Sequence, residues 1–207
     1  MKIEFLIHLI LSWLMKNKIL IFDDIIDLDH QNKIKSILTT EKKYKDLYFP
    51  WYLTPDVTVS RANNSQKRPA FFHGFVAEDE GSVGRVDSIF HDLFTPLILN
   101  VCDKLNKKEV DVLQGRSFFQ LPLNFKGERR DTPHIDTLKD HFVMLYYVCD
   151  SDGDTLIYNE KSKSDIYTLQ KRVTPKQGRV ILFDGSFYHT GEQPLNNVRC
   201  VVNYNLK

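Results

Sequence analysis

The stretch TPKQGRVILFDGSFYHTG, Thr174–Gly191, joins a turn, a strand and a histidine. Pro175-Lys176-Gln177-Gly178 is turn text, and Arg179–Phe183 is a short apolar run bounded by it, which reads as a strand. His189 then stands near the end of the next strand candidate. The same punctuation continues on both sides. Val110–Leu121, Phe142–Val148, Thr155–Tyr158 and Asp165–Val173 precede the stretch, and Arg199–Leu206 follows it. Lys126–Arg130, Ser151–Asp154 and Pro194–Asn197 supply the turns between them.

Upstream the periodicity is helical. After a short apolar strand at Ile19–Phe22, Leu28-Asp29-His30 opens a helix with Ile34, Ile37 and Leu38 on one face. A second helical pattern runs from about Val83 to Leu105, where Pro96 predicts a kink or a break. Between them FPWYLTPDVTVSRANNSQKRPA, Phe49–Ala70, mixes aromatics, prolines and polar residues and reads as a long loop with one strand. Helices followed by many short strands indicate an α+β protein with a β-sandwich or barrel body.

Composition bounds the rest. A chain of 207 residues is expected to form one domain, 18–207, behind an N-terminal extension, 1–17. With 42% hydrophobic and 27% charged residues it can bury a core, which excludes disordered and low-complexity classes. A net charge of +1 offers no global field for nucleic acid. Cys102, Cys149 and Cys200 form neither a disulfide framework nor a CxxC pair, so a cytoplasmic location is expected. The apolar segment FLIHLILSWLM, Phe5–Met15, falls short of the roughly 20 residues of a membrane span. Lys2 before it has the form of a secretory signal, but no small-x-small cleavage site follows, and Met15 is an alternative start.

Three features of the strand-rich half carry chemistry. Pro133-His134-Ile135-Asp136 places an imidazole and a carboxylate on the same side of an extended backbone. His189 supplies a second imidazole. Two histidines and one carboxylate are the ligand set that binds Fe(II) and leaves coordination positions open. Arg199, ten residues beyond His189, is a planar cation able to hold a carboxylate by two charge-assisted hydrogen bonds.

In order and spacing, PHID (Pro133–Asp136), VMLYYV (Val143–Val148), SDGDTLIY (Ser151–Tyr158), TPKQGRVILFDGSFYHTG and RCVVNYNL (Arg199–Leu206) resemble the 2-oxoglutarate- and Fe(II)-dependent oxygenases, in their prolyl-4-hydroxylase-like branch. The resemblance covers roughly residues 110–207 and, more loosely, the opening ILIFDD (Ile19–Asp24) and its helix. It implies a double-stranded β-helix, a cupin-like jelly roll with flanking N-terminal helices. His134, Asp136 and His189 would bind Fe(II), and Arg199 would pair with the distal carboxylate of 2-oxoglutarate. Tyr147 matches a strand tyrosine that contacts the same carboxylate. Where the family often has Asn-Leu-Tyr, with the polar residue near the co-substrate, this chain has Gln120-Leu121-Pro122, which makes Gln120 a candidate co-substrate contact, and where it has a glycine pair, Asp152-Gly153.

By that resemblance the chain hydroxylates an unactivated C–H bond of a peptide, protein or amino acid, consuming 2-oxoglutarate and O2 and releasing succinate and CO2, with ascorbate as a support. Asp136 argues against halogenation, where that position is small. Two other readings stand beside this one: an oxygenase of a nucleobase or small metabolite, and a non-catalytic jelly-roll module with a vestigial metal site. Strand parity puts Asn203 on the Arg199 face, toward the pocket. His141 reads as orienting a strand end. Trp51, Tyr52, Phe71, Phe72 and His73 are core aromatics or a substrate-side wall, and Lys126–Arg130 is a solvated loop or a lid. The 49–81 and 124–133 loops are expected to shape the pocket mouth.

Overall fold

The strand and turn text of the second half folds into two facing sheets. The computed structural model describes residues 18–57, 67–79, 83–124 and 127–207. The expected extension 1–17 and Lys126 of the expected lid lie outside them. The elements are β1 (Ile19–Phe22), α1 (Leu28–Thr39), β2 (Tyr52–Thr54), β3 (Ala70–Ala77), β4 (Arg85–Val86), a 3-10 turn (Ile89–Phe94) and α2 (Thr95–Lys104). Next come β5 (Val112–Gln120), β6 (Phe142–Tyr147), β7 (Thr155–Tyr158), β8 (Leu169–Val173), β9 (Val180–Asp184), β10 (His189–Gly191) and β11 (Arg199–Leu206).

The larger sheet has the order β1-β9-β6-β11-β5-β3-β2, with β4 on β3, and the smaller one β10-β7-β8. Neighbours that are distant in sequence, such as β11 between β6 and β5, give the crossovers of a jelly roll. All of the paired strands are antiparallel.

Period-2 alternation sorts each strand's side chains between two cores. Val143, Leu145, Tyr147, Ile181, Phe183 and Val201 pack against Ile157, Val173 and Phe187 between the sheets. Met144, Tyr146, Leu182, Val202 and Tyr204 face the other way, onto Ile34, Ile37 and Leu38 of α1 and Leu97 and Val101 of α2. Each fully buried aliphatic side chain contributes roughly 1.5–3 kcal/mol, so the helical layer braces the strands that carry the site. Asp27 caps α1 by accepting from His30 N at 2.7 Å.

Three expectations need correction. The pattern from 83 to 105 does break at Pro96, which lies in the first turn of α2, but the part before it is β4 and a 3-10 turn, not helix. Proline's fixed φ and missing N–H suit a helix start. The strand expected from Asp165 begins at Leu169, because Glu160 draws Thr168 into a turn, accepting from its backbone N–H at 2.9 Å and from its hydroxyl at 2.7 Å. Finally, β3 escapes a period-2 search: AFFHGFVA is nearly continuously apolar, as suits a strand covered on both faces. Its Phe71, Phe72 and His73 are therefore sheet residues, and His73 packs against Phe49, Phe75 and Phe90.

Candidate functional site

His134 and His189 are brought together by their own backbones. His134 N donates to His189 O at 3.0 Å, and His189 N donates to His134 O at 2.9 Å. Such a pair directs both side chains to one face, and the ring centroids lie 4.9 Å apart. Each imidazole is then oriented by the chain two residues before it. His134 Nδ1 lies 3.1 Å from Thr132 O, and His189 Nδ1 lies 3.0 Å from Phe187 O. With Nδ1–H donating to those carbonyls, each Nε2 keeps its lone pair for a metal.

Asp136 Oδ1 lies 3.8 Å from Nε2 of both histidines. One ligand atom from each of the three residues falls within 4.8 Å of the other two. Two neutral imidazoles and one carboxylate suit a divalent transition ion such as Fe(II). The electrostatics prepare His134 and Asp136 for it. Burial, then the neighbouring His189, lowers the His134 imidazole to about 4. Burial would raise the Asp136 carboxyl, but the His189 imidazole and the Arg116 guanidinium outweigh it and hold it well below the usual range.

The three side chains open onto a cavity of about 260 Å³, whose lining also includes Arg116, Gln120, Thr155, Arg199 and Asn203. Arg199 is 6% exposed. Its Nε donates to Gly153 O at 2.9 Å, Nη1 to Gln120 Oε1 at 3.0 Å and Nη2 to Thr155 Oγ1 at 3.1 Å. All three acceptors are neutral. Among the described residues no carboxylate forms an ion pair with it, and burial pulls its guanidinium below the ordinary value. Two glycines make the space: a Cβ on Gly153 would lie 2.9 Å from Arg199 Cδ, and one on Gly191 would lie 3.3 Å from its Cζ.

His134, Asp136, His189, Arg199, Gln120 and Asn203 line the cavity, whereas Trp51, Tyr52, Phe71, Phe72 and His73, the alternative substrate-side wall, are absent from its lining. Gln120 is fixed as an acceptor for Arg199, its cross-strand partner. Tyr147 is fully buried, is absent from the cavity lining, and gives its hydroxyl to Thr155 Oγ1 at 2.8 Å. Burial pushes its phenol up to about 12. Thr155 stands between Tyr147 and Arg199 and faces the cavity, a position the sequence reading passed over inside SDGDTLIY. Arg116 was also missed. Its signal was parity, since Arg116 and Gln120 share a face of β5.

His141 sits outside the cavity. Its Nδ1 lies 2.7 Å from Lys139 O and its ring packs on Gly185, orienting the start of β6. The described part of the expected lid is tied down. Arg68 donates to the carbonyls of Glu128, Arg129 and Arg130 at 2.7–3.1 Å, and Arg129 N–H groups reach Gln193 O and Asp152 O. These bonds fix the approach to Asp131, His134 and Ile135, which line the cavity with Val57 and Phe118.

No protein-family profile and no curated protein match the sequence. Among solved structures, the fold is similar to that of a 2OG-Fe(II) oxygenase family oxidoreductase from Burkholderia pseudomallei, at 12% identity, TM-score 0.67, over 95% of this chain and 88% of that one. It is also similar to a viral collagen prolyl hydroxylase from Paramecium bursaria Chlorella virus-1, solved with 2OG, at 14% identity, TM-score 0.55, over 93% and 97%. A third similar structure is a non-haem α-ketoglutarate-dependent carbocyclase of nogalamycin biosynthesis, at 9% identity, TM-score 0.60, over 95% and 81%. The fold is thus the double-stranded β-helix of these oxygenases. Among the described residues no helix is long and apolar enough to cross a membrane.

Proposed function

We propose that this chain is an Fe(II)- and 2-oxoglutarate-dependent dioxygenase that hydroxylates an unactivated C–H bond, releasing succinate and CO2. One observation carries the reading: a His-Asp-His donor set shares a cavity with a buried guanidinium that has only neutral acceptors. A buried charge without a counter-ion costs several kcal/mol, and a dicarboxylic co-substrate would supply one.

His134, Asp136 and His189 would hold the iron, which when bound supplies the redox chemistry that activates O2. Arg199 would hold the distal carboxylate. Three of its five N–H groups are spent on the protein, leaving one on each Nη for two carboxylate oxygens. Thr155 Oγ1 accepts from both Arg199 and Tyr147, so its own proton is free for the same carboxylate. Tyr147 thus acts through Thr155, and Gln120 by aligning the guanidinium. Substrate would enter between Val57, Phe118, Asp131 and Ile135.

The substrate class we favour is a peptide or amino acid. The similar structures include a collagen prolyl hydroxylase and a small-molecule carbocyclase, and the five sequence motifs point to the prolyl-hydroxylase-like branch. Incubation with Fe(II), ascorbate and 2-oxoglutarate across peptide and amino-acid pools, with succinate and a +16 Da product followed by mass spectrometry, tests the proposal. Succinate formation that His134→Ala abolishes is expected. Equal succinate from wild type and His134→Ala would overturn it.

A further inference from the structure

We infer that Arg116 and Asn203 form a two-point clamp on the metal-binding carboxylate, holding Asp136 to the ion through Oδ1 alone and weakening that oxygen as a donor so that the ferrous state is favoured. The inference rests on the iron site proposed above. Arg116 and Asn203 are cross-strand partners on β5 and β11, and each takes a different oxygen of Asp136. Arg116 Nη2 donates to Oδ1 at 2.5 Å, and Asn203 Nδ2 donates to Oδ2 at 3.0 Å. Oδ1 is the oxygen that faces both histidine Nε2 atoms. Oδ2 is turned to Asn203, which disfavours a bidentate mode that would occupy another coordination position.

The guanidinium is itself braced, because its Nη1 donates to Gln114 Oε1 at 2.6 Å. Its side chain is 19% exposed and that of Asp136 only 2%, so the contact is shielded from bulk water. A divalent ion would by itself compensate the carboxylate, so in the loaded site Arg116 is a positive charge in excess. That charge opposes the further positive charge gained when the ion goes from ferrous to ferric. At an effective dielectric of about 20, a unit charge a few ångströms away changes an equilibrium constant by more than a factor of about ten. Arg116 and Asn203 are therefore positioning residues that act through Asp136.

The test compares wild type, Arg116→Met, Arg116→Lys and Asn203→Ala, loaded with Fe(II) without oxygen. The ferric-to-ferrous ratio is read by electron paramagnetic resonance at a potential fixed at the wild-type midpoint. Arg116→Met is expected to raise the ratio at least about tenfold, a midpoint about 59 mV lower, and Arg116→Lys to restore most of the difference. A purely structural role would not move this ratio. Asn203→Ala keeps the charge, and its Co(II)-substituted form is expected to show visible bands of higher coordination number. That variant carries the test if Arg116→Met does not fold. Wild-type protein that takes up Fe(II) while Arg116→Met keeps the wild-type ratio overturns the clamp alone. Unchanged Co(II) bands in Asn203→Ala overturn the single-oxygen mode. Wild-type protein that takes up no Fe(II) overturns the clamp and the proposed function together.

Discussion

Replacing Arg199 with Met removes the guanidinium and keeps most of the side chain's bulk. The two N–H groups left after the bonds to Gly153, Gln120 and Thr155 are the ones assigned to the co-substrate. Hydrogen bonds to charged groups contribute roughly 1.5–3 kcal/mol each, so two give about 3–6 kcal/mol. Part of this is recovered, because water takes over some of the carboxylate's hydrogen bonds in the variant. A net loss of about 3–4 kcal/mol corresponds to a KM for 2-oxoglutarate raised roughly 10²- to 10³-fold. The assay is initial-rate succinate formation against 2-oxoglutarate concentration, with calorimetric titration of the Mn(II)-loaded protein as a measure of binding. Millimolar 2-oxoglutarate should also raise the Tm of wild type but not of Arg199→Met. A KM within about threefold of wild type would refute the reasoning, since among the described residues the cavity lining holds no cation besides Arg199 and the Asp136-bound Arg116.

Thr155→Val keeps the shape but deletes the oxygen shared by Arg199 and Tyr147, so the 2-oxoglutarate KM should rise about tenfold. The orphaned Tyr147 hydroxyl should cost about 1–3 kcal/mol in urea unfolding, and an unchanged KM would remove Thr155 from the pocket. The His134 imidazole titrates near 6.5 in the unfolded chain and at about 4 in the folded one. Between those values the unfolded state binds more protons, so the metal-free protein should lose about 2–3 kcal/mol between pH 7 and pH 4.5. Equal unfolding midpoints at the two pH values would contradict that. Burial raises the thiols of Cys102, Cys149 and Cys200 above their ordinary value. A thiol reagent at pH 8 should therefore label all three in denaturant and none rapidly in the native protein.

The jelly-roll half was legible because its short, largely apolar runs are bounded by turns marked by Pro, Gly, Asn and Asp. Thr155–Tyr158 and Arg199–Leu206 begin and end where the sequence placed them. Residues 70–77 were not, because no turn text sets that apolar run apart from the mixed aromatic, proline and polar segment before it. Parity placed Tyr147 on the inner face correctly, but parity is blind to which neighbour takes a hydroxyl, and here Thr155 stands in between. Arg116 illustrates the same limit. Its face could be read from Gln120, yet its contact with Asp136 depends on a chain reversal between β5 and the PHID segment that no local pattern encodes. The bridge between His134 and His189 is likewise a property of register across the fold.

The most direct measurement is a crystal structure of the protein grown without oxygen with Mn(II), a redox-inert stand-in for iron, and 2-oxoglutarate. The ion is expected on Nε2 of His134 and His189 and on Oδ1 of Asp136, with the distal carboxylate on Arg199 and Thr155. Metal bound elsewhere, or 2-oxoglutarate bound away from Arg199, would contradict it.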